Sequence, residues 1–316
     1  MTADPSDGSQ GHDASPQRWS RRRILTVGVG GVAVLLAGGA LGLELVSHGV
    51  LPGQQELDQI DGACSVTGPA FRFSGRGSSK SGTFSSRARR RQVGYTVAWP
   101  PGHGPGSTLP LIVMLHGEGG NHSNALSGLR PEQAVALEVG GEPLPPMSLV
   151  TVDGGSGYWN PHPDDDPMAM VVDELIPMCQ ELGLGGGHRN VGAMGISMGG
   201  YGALLLAEKH PELIGAVAAI SPAIWTSYTQ AETVNRGAYA SAAAFAANDV
   251  VTHADALRDT PVRVASGFED PFHPGVVAMS QVLPSSAVEF SQGCHTGDFF
   301  TAEEPPSIQF LGRHLG

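Results

Sequence analysis

Positive charge is scarce in this chain. Against 30 Asp and Glu residues stand 18 Lys and Arg, a formal net charge of −12 at pH 7. No extended basic patch occurs in the C-terminal two-thirds, and a protein that neutralises nucleic-acid phosphates needs one, so nucleic acid is excluded as an expected partner. Cysteine is almost as rare, with 3 residues, Cys64, Cys179 and Cys294. An odd number leaves at least one thiol unpaired, and sequence does not say which pair forms, if any. No two histidines stand at zinc-ligand spacing, which disfavours metal-dependent hydrolysis, and no cofactor is expected. An internal repeat is also lacking, and with it a repeat architecture. A length of 316 residues allows one large domain or two small ones and is enough for a sizeable core.

Uncharged sequence is concentrated near the start. Residues 1–19 are polar and rich in Asp, Ser, Gly and Pro, the composition of a disordered tail. Segment 20–46 begins Ser20-Arg21-Arg22-Arg23-Ile24-Leu25, and the run Ile24 to Leu43 has no charged side chain and six glycines. Paired arginines before a modestly apolar, Gly-rich stretch read as a twin-arginine-type export signal. About 20 residues can also span a bilayer, so a membrane tether through residues 24–43 is the competing reading. Ala40-Leu41-Gly42 offers a small-x-small cleavage site, and the protein is either released or stays anchored. In both cases the body lies outside the cytoplasmic membrane, where a disulfide is permitted. Residues 47–63 read as a linker and 64–316 as the folded domain.

Short apolar runs punctuate that domain. Phe71 to Phe73, Thr83 to Ser86 and the alternating Val93 to Trp99 read as strands of an antiparallel edge. Then follow Leu111 to Leu115, Ser148 to Val152, Val191 to Met194, Ala216 to Ile220, Val262 to Ala265 and Val288 to Phe290, mostly separated by segments able to form helices. This spacing predicts βαβ units and a mainly parallel sheet covered on both faces. Ligands of such sheets bind at the carboxyl ends of strands, so functional residues are expected just after these runs.

With 45 Gly and 27 Ser, the composition alone yields roughly half an accidental G-x-S-x-G pentapeptide. Gly195-Ile196-Ser197-Met198-Gly199 gains weight from its flanks, a strand-like run before and the helix-like Tyr201 to Lys209 after, the order a nucleophile elbow requires. After Leu115 comes His116-Gly117-Glu118-Gly119-Gly120, small residues that let backbone N–H groups approach a substrate carbonyl. Glu118 N–H is the favoured first oxyanion donor, with Gly117 or Gly119 as alternatives, and Met198 N–H the second. After Ala265 comes Ser266-Gly267-Phe268-Glu269-Asp270, in which Asp270, or else Glu269, is the carboxylate that orients a histidine. After the last strand comes Gly293-Cys294-His295, and His295 takes the place of the general base. Among twelve histidines no other follows the final strand in this way. His116, Trp159 and Trp225 are candidates for the substrate pocket, and residues 222–260, which carry Trp225, Tyr228, Tyr239 and Phe245, for a small lid. Arg87-Ala88-Arg89-Arg90-Arg91 reads as a solvated turn rather than a phosphate site, and Asp164-Asp165-Asp166 as a solvated loop rather than a cation site.

The order Ser197, Asp270, His295 and the long motif Gly195-Ile196-Ser197-Met198-Gly199-Gly200-Tyr201-Gly202-Ala203 resemble the α/β-hydrolases of the putative-esterase group. That group includes esterase D and the secreted mycolyltransferases of mycobacteria, and the twin-arginine start resembles an exported actinobacterial member. The resemblance covers about residues 64–316. It implies an α/β-hydrolase fold and carboxylic-ester hydrolysis or acyl transfer, acting on a small-molecule or lipid ester. No segment matches the carbohydrate-binding parts of the mycolyltransferases. Three functions are therefore weighed: a serine esterase, an envelope acyltransferase with the same triad, and a non-catalytic binding protein on a hydrolase scaffold.

Overall fold

Val, Ile, Leu and Ala fill five- to seven-residue runs bounded by Gly, Pro or Asn, too short for stable helices and buried on both sides, so they pair as central strands. The computed structural model describes residues 62–284 and 287–315. The expected disordered start, the export or tether segment and most of the linker lie outside these residues. Among the described residues no helix is long and apolar enough to cross a membrane.

Eleven strands are described: β1 Phe71–Phe73, β2 Ser78–Ser86, β3 Arg91–Trp99, β4 Leu111–Leu115, β5 Leu137–Val139, β6 Glu142–Pro143, β7 Ser148–Val152, β8 Val191–Ile196, β9 Ile214–Ile220, β10 Val262–Glu269 and β11 Val288–Cys294. Eight form one sheet in the order β11-β10-β9-β8-β4-β7-β3-β2. Strands β2 and β3 are antiparallel to their neighbours, and the six from β7 to β11 run parallel. This is the α/β-hydrolase architecture. Along β4 the alternation is visible: Leu111, Val113 and Leu115 join one buried cluster, while Ile112 and Met114 join the other. The helix Met198–Lys209 packs on the first face. Phe299, Ile308 and Leu311 of the C-terminal helix Gly297–His314 pack on the second.

Three expectations are corrected. β1 is not part of the antiparallel edge. Its Phe71 to Phe73 pair with Val139 to Leu137 of β5 in a separate three-stranded sheet, because Ser74 sends both its N–H and its hydroxyl to Ala136 O. Nor are the arginine run and the acidic triplet independent solvated loops. Arg89 is 3 % exposed and grips Asp165 with two bonds, Nε to Oδ1 at 2.7 Å and Nη2 to Oδ2 at 2.8 Å. Arg91 reaches the same carboxylate at 3.0 Å, Arg90 pairs with Asp164, and Asp166 Oδ1 accepts the N–H of Ala169 at the start of the next helix. Burial alone would push the Asp165 carboxyl up, but the bonds and charge of Arg89, aided by Arg91, hold it below the ordinary carboxylate range.

Between β9 and β10, residues 222–260 form the short helices Tyr228–Val234 and Ala242–Ala247 and a 3₁₀ turn Ala254–Leu257. Their base is pinned to the core, where Tyr201 Oη donates to Asn248 O at 2.7 Å and Asn160 Nδ2 to Ala238 O at 3.0 Å.

Candidate active site

Two glycines shape the turn at the end of β8. A Cβ on Gly195 would stand 2.0 Å from Gly199 O, and one on Gly199 would stand 1.9 Å from Leu115 O. Neither position tolerates a side chain, so the nucleophile helix starts hard against the ends of β8 and β4. Ser197 itself has φ 56° and ψ −118°, a strained conformation for a residue with a side chain, held by Ser197 N–H on Ile220 O and Ala223 N–H on Ser197 O. The hydroxyl is thereby presented at the carboxyl edge of the sheet.

Ser197 Oγ lies 2.8 Å from His295 Nε2, and His295 Nδ1 lies 2.9 Å from Asp270 Oδ2. The other carboxylate oxygen of Asp270 accepts Phe272 N–H at 2.8 Å, and its side chain is fully buried. Glu269, the alternative carboxylate, is exposed at the end of β10, as is Phe268 before it. The histidine ring is held between two aromatic rings, Phe272 at 5.2 Å and Phe300 at 5.0 Å. Sequence separations of 98 and 25 residues are closed in this one chain of hydrogen bonds.

The loop after β4 is a β-turn in which Gly120 N–H bonds Gly117 O at 3.0 Å and Gly119 takes φ +74°. His116 Nδ1 lies 2.7 Å from the same oxygen, and its Nε2 accepts Gly154 N–H at 2.8 Å, which fixes the proton on Nδ1. Gly117 C=O and Glu118 N–H share one planar trans peptide and point in opposite directions. Two donors pulling on the carbonyl therefore fix the direction of the Glu118 N–H. Gly117 also abuts the nucleophile, with a Cβ there only 3.6 Å from Ser197 Cβ. Met198 is the first residue of its helix, where N–H groups have no intrahelical acceptor and the helix dipole is positive.

A cleft of about 510 Å³ opens on Ser197 and His295, lined also by Gly117 to Gly120, Leu126, Tyr158, Phe272 and Phe300. The three pocket candidates lie elsewhere. His116 is 1 % exposed and serves as the backbone anchor just described, and burial holds its imidazole below the ordinary value, in the neutral form. Trp159 is fully buried, its indole N–H on His116 O at 3.3 Å. Trp225 stands behind Phe272, edge to face at 4.8 Å. Phe272 and Phe300, which the sequence does not single out, each sit within five positions of a triad candidate, Asp270 or His295, so the sequence signal available was an aromatic flanking the strand-end residues. Tyr158 and Trp159 both have positive φ, 54° and 56°, and both rings are buried, but of the two Tyr158 lines the cleft. Another depression, of about 430 Å³, lies at the amino ends of β8 to β10 around Arg189, Asn190 and Pro261, away from Ser197.

A family model described as "Putative esterase" matches residues 86–277. The chain belongs to this putative esterase family. The match spans the elbow and Asp270 and ends before His295. Membership carries the family's chemistry, so the protein is a carboxylic ester hydrolase of the serine type. No curated protein matches the chain. Among solved structures it shares its fold with a ferulic acid esterase, at 19 % identity and TM-score 0.64, over 77 % of this chain and 99 % of that one. An S-formylglutathione hydrolase from Agrobacterium tumefaciens is similar at 16 % identity and TM-score 0.60, over 79 % and 99 %. A ferulic acid esterase from Anaeromyces mucronatus, in complex with ferulic acid, is similar at 17 % identity and TM-score 0.54, over 76 % and 93 %.

Proposed function

We propose that this esterase cleaves carboxylic esters through Ser197 as nucleophile, His295 as general base and acid, and Asp270 as the carboxylate that orients the imidazole. The observation that carries the reading is the unbroken relay from Ser197 Oγ to His295 Nε2 and from Nδ1 to Asp270 Oδ2. Ser197 Oγ attacks the ester carbonyl carbon while its proton passes to His295 Nε2. The tetrahedral oxyanion takes hydrogen bonds from the N–H groups of Glu118 and Met198. Collapse breaks the ester C–O bond, the imidazolium returns the proton to the leaving alkoxide, and an acyl-enzyme remains. Water, deprotonated by His295, then attacks the acyl carbon and releases the acid and Ser197.

The substrate class follows from the cleft wall. Tyr158, Phe272, Phe300 and Leu126 offer apolar and aromatic surface, and the charged side chain among the lining residues, apart from the histidine, is the carboxylate of Glu118. Neutral esters with a flat or apolar acyl group suit this wall. A glutathione thioester, which carries carboxylates of its own, meets a like charge there. Methyl ferulate is expected to exceed S-formylglutathione in kcat/KM by at least about tenfold, the equivalent of ~1.4 kcal/mol. Equal rates would reverse the assignment.

Turnover of p-nitrophenyl esters by wild type, Ser197→Ala and His295→Ala tests the triad, and equal rates for wild type and Ser197→Ala would remove it. The same assay with a polyol added measures transfer against hydrolysis, and a dominant transfer product would make the protein an acyltransferase. Extracytoplasmic location is part of the proposal, supported by Arg21-Arg22-Arg23 ahead of the apolar run and by the disulfide Cys64–Cys294, a bond that persists in oxidising compartments. Replacing Arg21 to Arg23 by Lys is expected to retain the protein in the cytoplasm. Unchanged export would remove that part.

A further inference from the structure

His295 follows β11, and among the described residues β11 is the last strand of the sheet, paired only with β10. The pairing itself is irregular next to the histidine, with a register shift between Gly267 and Glu269 before the Glu269–Cys294 pair. An edge strand with a bulge at its end is a poor platform for a base that must keep 2.8 Å and 2.9 Å contacts on its two sides.

The open side of β11 is occupied by the segment that begins at Gly62. Gln292 Nε2 donates to Gly62 O at 3.0 Å. Val66 packs over Gly293, its Cγ2 3.3 Å from where a Cβ would stand. Cys294, fully buried and directly before His295, is joined to Cys64 across 230 residues. Three successive residues of the strand, 292 to 294, are thus held from outside by residues 62 to 66. Beyond them Thr296 N–H returns to Cys294 O at 2.9 Å, so the histidine lies in a tight turn rooted on the bridged cysteine.

We infer that the Cys64–Cys294 disulfide is a positioning element of the catalytic base: it fixes the end of edge strand β11 so that His295 reaches Ser197 and Asp270 together. The inference rests on the triad proposed above. Both cysteines, like His295, lie outside residues 86–277, which the family model matches. Opening the bond leaves Ser197 and its donors in place, because they stand on the central strands β8 and β4 and on the nucleophile helix. Only the base is freed.

The test compares oxidised wild type with the Cys64→Ser/Cys294→Ser double variant and with wild type reduced by dithiothreitol, which supplies two electrons and two protons, leaves two thiols and closes its own disulfide. Alkylation and mass measurement count the thiols, and Cys179→Ser serves as the control for the buried third cysteine. With the bridge open, kcat is expected to fall at least tenfold while KM stays within about twofold. A brace that only stabilises the fold leaves kcat unchanged at a temperature where the protein is folded. If the thiols are free, circular dichroism shows a folded protein, and kcat is unchanged, the inference is overturned. Should the double variant not fold, the reduced wild type, assayed before and after alkylation, decides in the same way. Failure of the triad is distinguishable, because oxidised wild type would then not react at Ser197 with a fluorophosphonate.

Discussion

Ser197 and His295 touch, yet they are held by opposite means. Ser197 stands at the end of β8, in the middle of the sheet, with β4 and β9 on either side and its own helix packed behind it. The turn's main pieces lie within a few residues, a buried strand, two glycines that admit no Cβ and an Ala/Leu helix, and Ile220 and Ala223 at the neighbouring strand end hold Ser197 by its backbone. His295 stands on the edge strand, at a bulge, and is kept in place by Asp270, by two aromatic rings and by a segment 230 residues away. The proposed nucleophile is held mainly by its neighbours in sequence, and the proposed base also from afar. Perturbations should separate the two halves, by losing turnover without losing the nucleophile or by disturbing the cleft without touching the relay.

Asp270→Asn should have the largest effect. The amide favours the wrong imidazole tautomer, and kcat is expected to fall by roughly 10⁴, whereas Glu269→Gln should leave kcat within about twofold. Steady-state assays of the pair check both. A comparable loss in the two variants would mean that the buried carboxylate is not the orienting one. On the nucleophile side, His116→Ala removes one of two donors to Gly117 O. That frees the peptide carrying Glu118 N–H, and kcat is expected to fall by roughly 10² with KM little changed. A purely packing role would lower the melting temperature and leave kcat alone.

Arg89→Met breaks the buried pair with Asp165 and loosens the loop that carries Tyr158 into the cleft. Stability is expected to drop by about 3–5 kcal/mol in urea titrations, with KM for aromatic esters raised several-fold and kcat less affected. The smallest change concerns Glu208 on the helix that follows Ser197, whose carboxylate oxygens have no hydrogen-bond partner among the described residues and whose pKa burial pushes up to about 9. A carboxyl raised in the folded state contributes stability below its unfolded pKa, and loses it as pH rises through the folded value. Wild-type stability should therefore decline from about pH 5 to pH 9. Glu208→Gln should flatten that decline and gain about 1–3 kcal/mol at pH 9. A wild-type melting temperature that is flat over this range would contradict it.

The same contrast explains what was legible in the sequence. Strands β3, β4 and β7 to β11 announce themselves through apolar runs, and Ser197, Asp270 and His295 each follow such a run. Local pattern suffices there. Pairings between distant segments leave no trace in periodicity. Arg89 and Asp165 look like two solvated clusters until the fold brings them together, β1 looks like an edge strand until Ser74 ties it to Ala136, and three cysteines do not disclose their partners. Side-chain direction is equally hidden. Tyr158 and Trp159 are neighbours in the sequence, and only the fold shows that the cleft is lined by Tyr158 and not by Trp159.

Active-site labelling with a fluorophosphonate, followed by peptide mapping, tests the central claim most directly. Wild type should carry the label on Ser197 and lose ester turnover in proportion, with Ser197→Ala unlabelled and Asp270→Asn labelled far more slowly. Folded wild type that hydrolyses esters without modification at Ser197 would contradict the account.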